Sequence, residues 1–498
     1  MVKSLAGIDI AIILLYLAGT LVIGFLLGKK QKTSQDYFLA GRKLKWWMVG
    51  FSMVATDIGS LELVGVAGGA YVYGMVLANF DWVACTISMI IAAFLFIPFY
   101  WKAGVYTIPE YLGRRYNSGV HVLTAIIWGL FMVANLGLLL WAAAKTVNVV
   151  IGWPMPLTIV LIAAVVGFYT FSGGLAAVVY TDVLQCIILI IGSVVLLAVG
   201  LVKIGGIDGL VHKVSLLPSN NEYYLRLVLP ADTKTPFSWS AVLLGLGFVL
   251  GPAYWAGNQV IVQRCLGASS QREVKKSVIF GASLKIIFPI LMVVPGIIGF
   301  VLYPKLKSGD DIYATMLCNL LPKGVFGLVF TGFLAAFMST VDSYLNSAAT
   351  LWTMDIYNRY IRKQASSRHL MIVGKILTII FIILAAYLAP MTTKFSGIFN
   401  ALQTLLSIFQ GPTLAILLLG MVWKRANSPG AIAGLVVGVL TSSTLFWVQA
   451  DIFQAKDPYL YIAWWSFLIA VIVTAAVSLC TRPQPEEKIG NLMFSKEG

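Results

Sequence analysis

Charge is scarce in this 498-residue chain: its 35 basic and 20 acidic residues make up 11% of it, against about 25% in an ordinary soluble domain. With 59% hydrophobic residues, it has too little polar surface to cover itself in water. Cysteine and histidine are also sparse. The five cysteines (Cys85, Cys186, Cys265, Cys318, Cys480) are scattered, and neither a Cys-x-x-Cys nor a His-x-x-x-His spacing occurs. That argues against an extracellular disulfide framework and against a transition-metal site. No phosphate-binding loop is present, because Gly173-Gly174 and Gly205-Gly206 lack the following Lys-Ser/Thr. The deep polar residues include carboxylates and hydroxyls but no histidine, so a hydrolytic nucleophile–base pair is poorly served. The expectation is a non-enzyme without an organic cofactor.

What is abundant is long apolar sequence. A helix needs about 20 residues to cross the hydrocarbon core, and thirteen spans are expected at 8–28, 46–73, 79–101, 120–149, 154–176, 182–203, 239–263, 277–303, 323–352, 370–389, 395–421, 429–449 and 459–480. The basic cluster Lys29/Lys30/Lys32 follows the first stretch, with only Lys3 before it, and no small-x-small site follows, so it reads as a span and not as a cleaved signal peptide. The fold class is therefore an all-α polytopic membrane protein, one integral domain over 1–481 with a cytoplasmic tail at 482–498.

The net charge of +15 is distributed unevenly. The clusters Lys29/Lys30/Lys32 with Arg42/Lys43/Lys45, Lys102/Arg114/Arg115, Arg264/Arg272/Lys275/Lys276, Arg359/Arg362/Lys363/Arg368, Lys424/Arg425 and Arg482/Lys488/Lys496 fall on one face and hold 22 of the 35 basic residues. By the positive-inside rule the amino terminus is outside and the carboxyl terminus inside. Splitting the basic residues among short loops also removes nucleic acid as a partner.

Two spans are interrupted midway. The second carries Ala55-Thr56-Asp57-Ile58-Gly59-Ser60-Leu61-Glu62, and the seventh carries Gly251-Pro252 before Ala253-Tyr254-Trp255-Ala256-Gly257-Asn258-Gln259. Proline lacks a donor and glycine weakens helix, so unwinding is expected at both places. Paired breaks in two halves of a chain point to a transporter site near the midplane. Residues 46–203 and 239–421 form two five-helix halves, the second necessarily inverted, preceded by an extra helix at 8–28 and followed by two at 429–480. The competing reading is that Gly and Pro are merely common in membrane helices and are satisfied by neighbours.

Ionisable residues within hydrocarbon are costly and face a partner or a wet path. Asp57, Glu62, Asp81, Asp182, Asp342 and Lys285 are the deep ones, with Lys145 near enough to an end to snorkel. Five acids against one base call for a passing cation or for protonation. Asp182 admits a second role as a helix cap after Thr181. Asp81 beside Trp82 admits one as an interfacial pair. Ser339, Asp342 and Ser343 share one helix face, and such hard oxygens suit an alkali cation. A serine there also serves simply by bonding the preceding turn.

Several segments, in order along nearly the whole chain, resemble the sodium/solute symporter family, in particular its sodium/glucose and sodium/galactose branch. They are Asp36-Tyr37-Phe38-Leu39-Ala40-Gly41-Arg42, Thr107-Ile108-Pro109-Glu110-Tyr111, Ser172-Gly173-Gly174-Leu175-Ala176-Ala177-Val178 with Thr181-Asp182-Val183-Leu184-Gln185, Gln259-Val260-Ile261-Val262-Gln263-Arg264, and Leu345-Asn346-Ser347 through Thr353-Met354-Asp355-Ile356-Tyr357. The resemblance implies a LeuT-type 5+5 inverted-repeat core. It places sodium on the carbonyls of Ala55, Ile58 and Ala336 and the hydroxyls of Ser339 and Thr340. It places a second sodium, present in some members, on Asp182, Ser339, Asp342 and Ser343.

The branch's sugar pocket matches Glu62, Asp81, Ala84, Gly251, Lys285 and Thr404, with a tyrosine gate at Tyr254 beside Trp255. Only Lys285, Tyr254 and Trp255 are identical; Glu62 and Thr404 stand for glutamines, Asp81 for a glutamate, Ala84 for a serine and Gly251 for an asparagine. Three of these changes remove or shorten polar groups that a polyol would use. The implied activity is sodium-coupled import, across the cell membrane, of a small polar organic solute such as a monosaccharide or polyol. Partners would be sodium, the solute and membrane lipid, with no obligate protein partner. Proton coupling, a different solute such as an organic acid, a channel and a non-transporting solute sensor are the alternatives.

Overall fold

A computed structural model describes residues 5–28, 33–216, 223–395, 397–485 and 492–493. Among them the chain is helical, with no strand and only the isolated bridges Leu44–Ala268 and Leu229–Ser238. Eleven helices among the described residues are long and apolar enough to cross a membrane. The expected first and fifth spans fall on the shorter apolar helices Gly7–Ile23 and Met155–Gly167.

The helices that build the site are α1 (Gly7–Gly28), α2 (Trp46–Asp57), α3 (Ser60–Tyr73), α4 (Ser118–Ile151), α5 (Met155–Ile204), α6 (Gly251–Gly257), α7 (Gln259–Leu266), α8 (Gln271–Lys285), α9 (Val325–Leu351) and α10 (Ile398–Val422). The span that continues α9, Val325–Ile361, lies at the centre, with an 83% buried window. It packs against α2, α4 and α5. The expected fifth and sixth spans run together as α5, bent at Gly174, whose φ of 55° with ψ of −175° is affordable only to glycine. Asp182 therefore sits mid-helix, eight residues beyond the bend, and does not cap a helix start.

Helix starts follow ordinary capping chemistry. Asn117 caps α4 through the Val120 N–H, Ser270 caps α8 through the Glu273 N–H, and Thr107 accepts from the Glu110 N–H at the start of Ile108–Arg115. Segments far apart in sequence then meet through these polar residues. The Thr107 hydroxyl donates to the Asp355 carboxylate at 2.7 Å, and His121 Nε2 lies 2.9 Å from the same carboxylate. Gln259 accepts from the Ile108 N–H and donates to the Tyr106 carbonyl, both at 3.0 Å. Gln263 donates to the Phe38 carbonyl and the Thr350 hydroxyl, both at 2.8 Å. Each motif residue thus satisfies a polar group that would be costly to bury alone.

Among the described residues of the basic clusters, two are not on a loop surface. Arg115 is fully buried, donating from Nε to the Gly420 carbonyl at 2.6 Å near the end of α10, where cations complement the helix dipole. Arg264 is fully buried as well, so the deep charges include a second base.

Candidate functional site

The second span breaks between α2 and α3. Ile58 (φ −96°, ψ 79°) and Gly59 (φ −95°, ψ −167°) leave the helical region, and Glu62 reaches back to the Gly59 N–H at 2.9 Å as the third residue of the next helix. A Cβ on Gly59 would overlap the side chain of Thr340, so glycine lets α9 approach the break. The Thr340 hydroxyl lies 3.0 Å from the Thr56 carbonyl and 3.1 Å from that of Ala336. Ala55 and Ile58 thus flank an unwound point opposite Ala336, Ser339 and Thr340, which share one face of α9. Freed carbonyls with hydroxyls at a helix break are what an alkali cation uses.

The seventh span breaks later than its sequence suggests. Gly251 and Pro252 lie where a π-helical stretch over Val242–Leu250 passes into α6 without leaving helical geometry, the wider π turn accommodating the proline's missing donor. The actual break is at Asn258 (φ −82°, ψ 115°), whose side chain caps α7 through the Val260 N–H at 3.0 Å.

Between the two breaks lies a cavity of about 90 Å³. Of the expected solute residues, Glu62, Asp81, Ala84, Gly251, Tyr254, Trp255 and Lys285 line it. Thr404 does not, whereas its neighbour Gln403 does, as does Gln410. Lys285, at the end of α8, sits 2.5 Å from Asp57 and also contacts Asp81. Asp57, Asp81 and Cys85 bring ligand atoms within 4.8 Å of one another, yet the ammonium between the two carboxylates makes this a charge-paired cluster. The far wall is apolar and includes Phe80 edge-on to Phe399, centroids 4.9 Å apart.

On the other side of α2 is a second, closed cluster. Asp182 accepts from the hydroxyls of Ser52 and, at 2.5 Å, Ser339. Arg264 Nε donates to Ser52 at 2.7 Å, one terminal nitrogen donates to Ser343, and that nitrogen lies 3.5 Å from Asp182. Ser343 is also 3.3 Å from the Asp342 carboxylate and 3.0 Å from the Thr56 hydroxyl. The residues expected to hold a second sodium therefore meet, and the Arg264 guanidinium is among them.

Asp57, Gln403, Gln410 and Arg264 escaped assignment to a site. Asp57 adjoins Ile58, an expected sodium ligand, and is legible as a deep charge. Arg264 follows an apolar span, where a basic residue ordinarily marks the interface. Only the neighbouring glutamines hinted otherwise.

A model of the sodium:solute symporter family matches residues 37–438. The sodium/glucose cotransporter of Vibrio parahaemolyticus is 33% identical over 98% of this chain and 93% of its own. The sodium/glucose cotransporter 1 of Ovis aries is 32% identical (98% and 81%), and the sodium/myo-inositol cotransporter 2 of Oryctolagus cuniculus 31% (99% and 79%). Among solved structures, a substrate-bound, outward-open Na⁺-coupled sialic acid symporter superposes with a TM-score of 0.85 at 24% identity, covering 96% of this chain and 98% of that one.

Proposed function

Because the chain belongs to the sodium:solute symporter family, we propose that it imports a monosaccharide or polyol across the cell membrane with sodium, by alternating access. The observation that carries this reading is the contact of the α2–α3 break with Thr340 of α9, directly beside the cavity of Lys285. Sodium is held by the carbonyls of Ala55, Ile58 and Ala336 and the hydroxyls of Ser339 and Thr340. A sodium ion at Asp182, Asp342 and Ser343 would have to displace Arg264, so one coupling ion is assigned in this conformation.

The solute sits among Glu62, Asp81, Gly251, Lys285 and Trp255, with Thr404 behind Gln403 and Tyr254 screening the inner exit. Residues 46–203 and 239–421 act as inverted halves of a thirteen-span domain with its amino terminus outside and its tail, 482–498, inside. Sodium bound first raises solute affinity, and the coupling is reciprocal. Uptake of labelled glucose and myo-inositol into proteoliposomes tests the reading: accumulation follows an inward sodium gradient, and accumulation unchanged when choline replaces sodium overturns it.

A further inference from the structure

The four charged side chains that line the solute cavity are three carboxylates and one ammonium. Lys285 is spent between Asp57 and Asp81, which leaves the pair short of one positive charge. Glu62 takes the Gly59 N–H with one oxygen, and no cationic side chain among the described residues lies within 4.0 Å of it. A second, independent feature points to a polar occupant. Gln410 is 1% exposed, lines the same cavity, and has neither its amide nitrogen nor its amide oxygen hydrogen-bonded. A buried amide left so is costly unless a ligand completes it.

Resting on the symport reading, we infer that the solute is an aminopolyol: a polyhydroxylated molecule with one protonated amine. Its ammonium offsets the surplus carboxylate charge around Glu62 and Asp81, and its hydroxyls bond Gln410 and Gln403. A neutral sugar would leave that surplus to be neutralised by protonation of a buried carboxyl in a cavity largely walled by apolar groups, and an acidic sugar would add to it. Phe80 and Phe399 on the facing wall tolerate an organic cation, whose charge is attracted to aromatic faces.

The test uses two pairs of probes that differ by one hydroxyl replaced with an amine: glucosamine against glucose, and 1-amino-1-deoxysorbitol against sorbitol. Binding is read as thermal stabilisation of the full-length protein in sodium at about pH 6.5, where both amines are protonated. Each amine should half-saturate at a concentration at least about tenfold below its neutral partner, given the strength of charge pairing in a low-dielectric site. Equal or tighter binding of glucose and sorbitol overturns the inference, as does failure of all four to bind while sodium alone still shifts the melting temperature. An amine preference that persists without any sodium effect leaves the inference standing and sinks the symport reading.

Glu62→Gln keeps the reach to the Gly59 N–H, since glutamine serves in the same capping position; it should cut the amine preference to below about threefold. Gln410→Leu should weaken both members of a pair alike. If a variant fails to fold, the wild-type pairs decide.

Discussion

Two buried charge clusters lie on either side of the broken second span, and they solve the same problem differently. In the closed cluster, Asp182 is surrounded by Ser52, Ser339 and the Arg264 guanidinium, all fully buried. In the cavity cluster, Lys285 faces Asp57 and Asp81 while Glu62 opens onto free volume. A closed cluster must carry its own countercharge, because nothing else can reach it. An open one can leave part of that role to a molecule that enters and departs. The difference separates a residue set that is closed on itself from the one proposed to hold a solute.

The hardest way to break that contrast is to remove the bases. Arg264→Met strands Asp182 in a dry site, and a stranded buried charge costs about 3–5 kcal/mol. Loss of the monodisperse peak in size-exclusion chromatography is expected, with recovery in the Arg264→Met, Asp182→Asn double variant. Lys285→Met should leave more folded protein, since the cavity admits water, but lower uptake by more than about a hundredfold, a loss of some 2.7 kcal/mol in transition-state terms. Adding Asp57→Asn should not restore uptake. Restoration there, or none in the Arg264 pair, would erase the distinction.

A finer probe is Ser339, whose hydroxyl donates to Asp182 and which precedes Thr340, the residue that meets the break. Ser339→Ala should raise the half-saturating sodium concentration of uptake about tenfold while costing stability only about 1–2 kcal/mol, the scale of one lost hydrogen bond. Gly59→Ala would force α9 away from the break, an overpacking cost of about 1–3 kcal/mol. Sodium-dependent stabilisation should fall with it.

The smallest effect lies outside both clusters, on the loop between the spans Gln271–Leu302 and Val325–Ile361. Burial raises the Asp310 carboxyl above its ordinary value, Lys145 pulling it back in part. A carboxyl whose folded value is raised favours the fold fully only below its unfolded value of about 3.9, and that contribution fades as pH rises through the folded value. Asp310→Asn should therefore flatten the decline of melting temperature with pH across the weakly acidic range, by less than about 1 kcal/mol in stability.

The apolar runs made most of the helices legible, because a chain with so little charge must satisfy its backbone inside each segment. Asp57-Ile58-Gly59 was legible as a break because glycine and two nearby acids cannot sit idle in an apolar helix. The seventh span does not break at Gly251-Pro252: the π-helical turn before Gly251 accommodates the proline's missing donor, so the helix runs on over Trp239–Gly257 and ends only at Asn258. Thr404 is placed at the pocket by the resemblance, yet Gln403 lines the cavity: a shift of one residue turns a helix by about 100°, and only packing fixes that rotation.

The sequence by itself determined a polytopic helical protein, the breakable second span and the short roster of deep carboxylates, since hydrophobic length and the cost of buried charge are local properties. Tertiary structure alone decided which carboxylate meets which base. Arg264 lies 82 residues from Asp182 in sequence, and Lys285 more than 200 from Asp57. No local rule carries charge pairing across such distances; the packing of α2 against α5, α8 and α9 brings the partners within hydrogen-bonding reach.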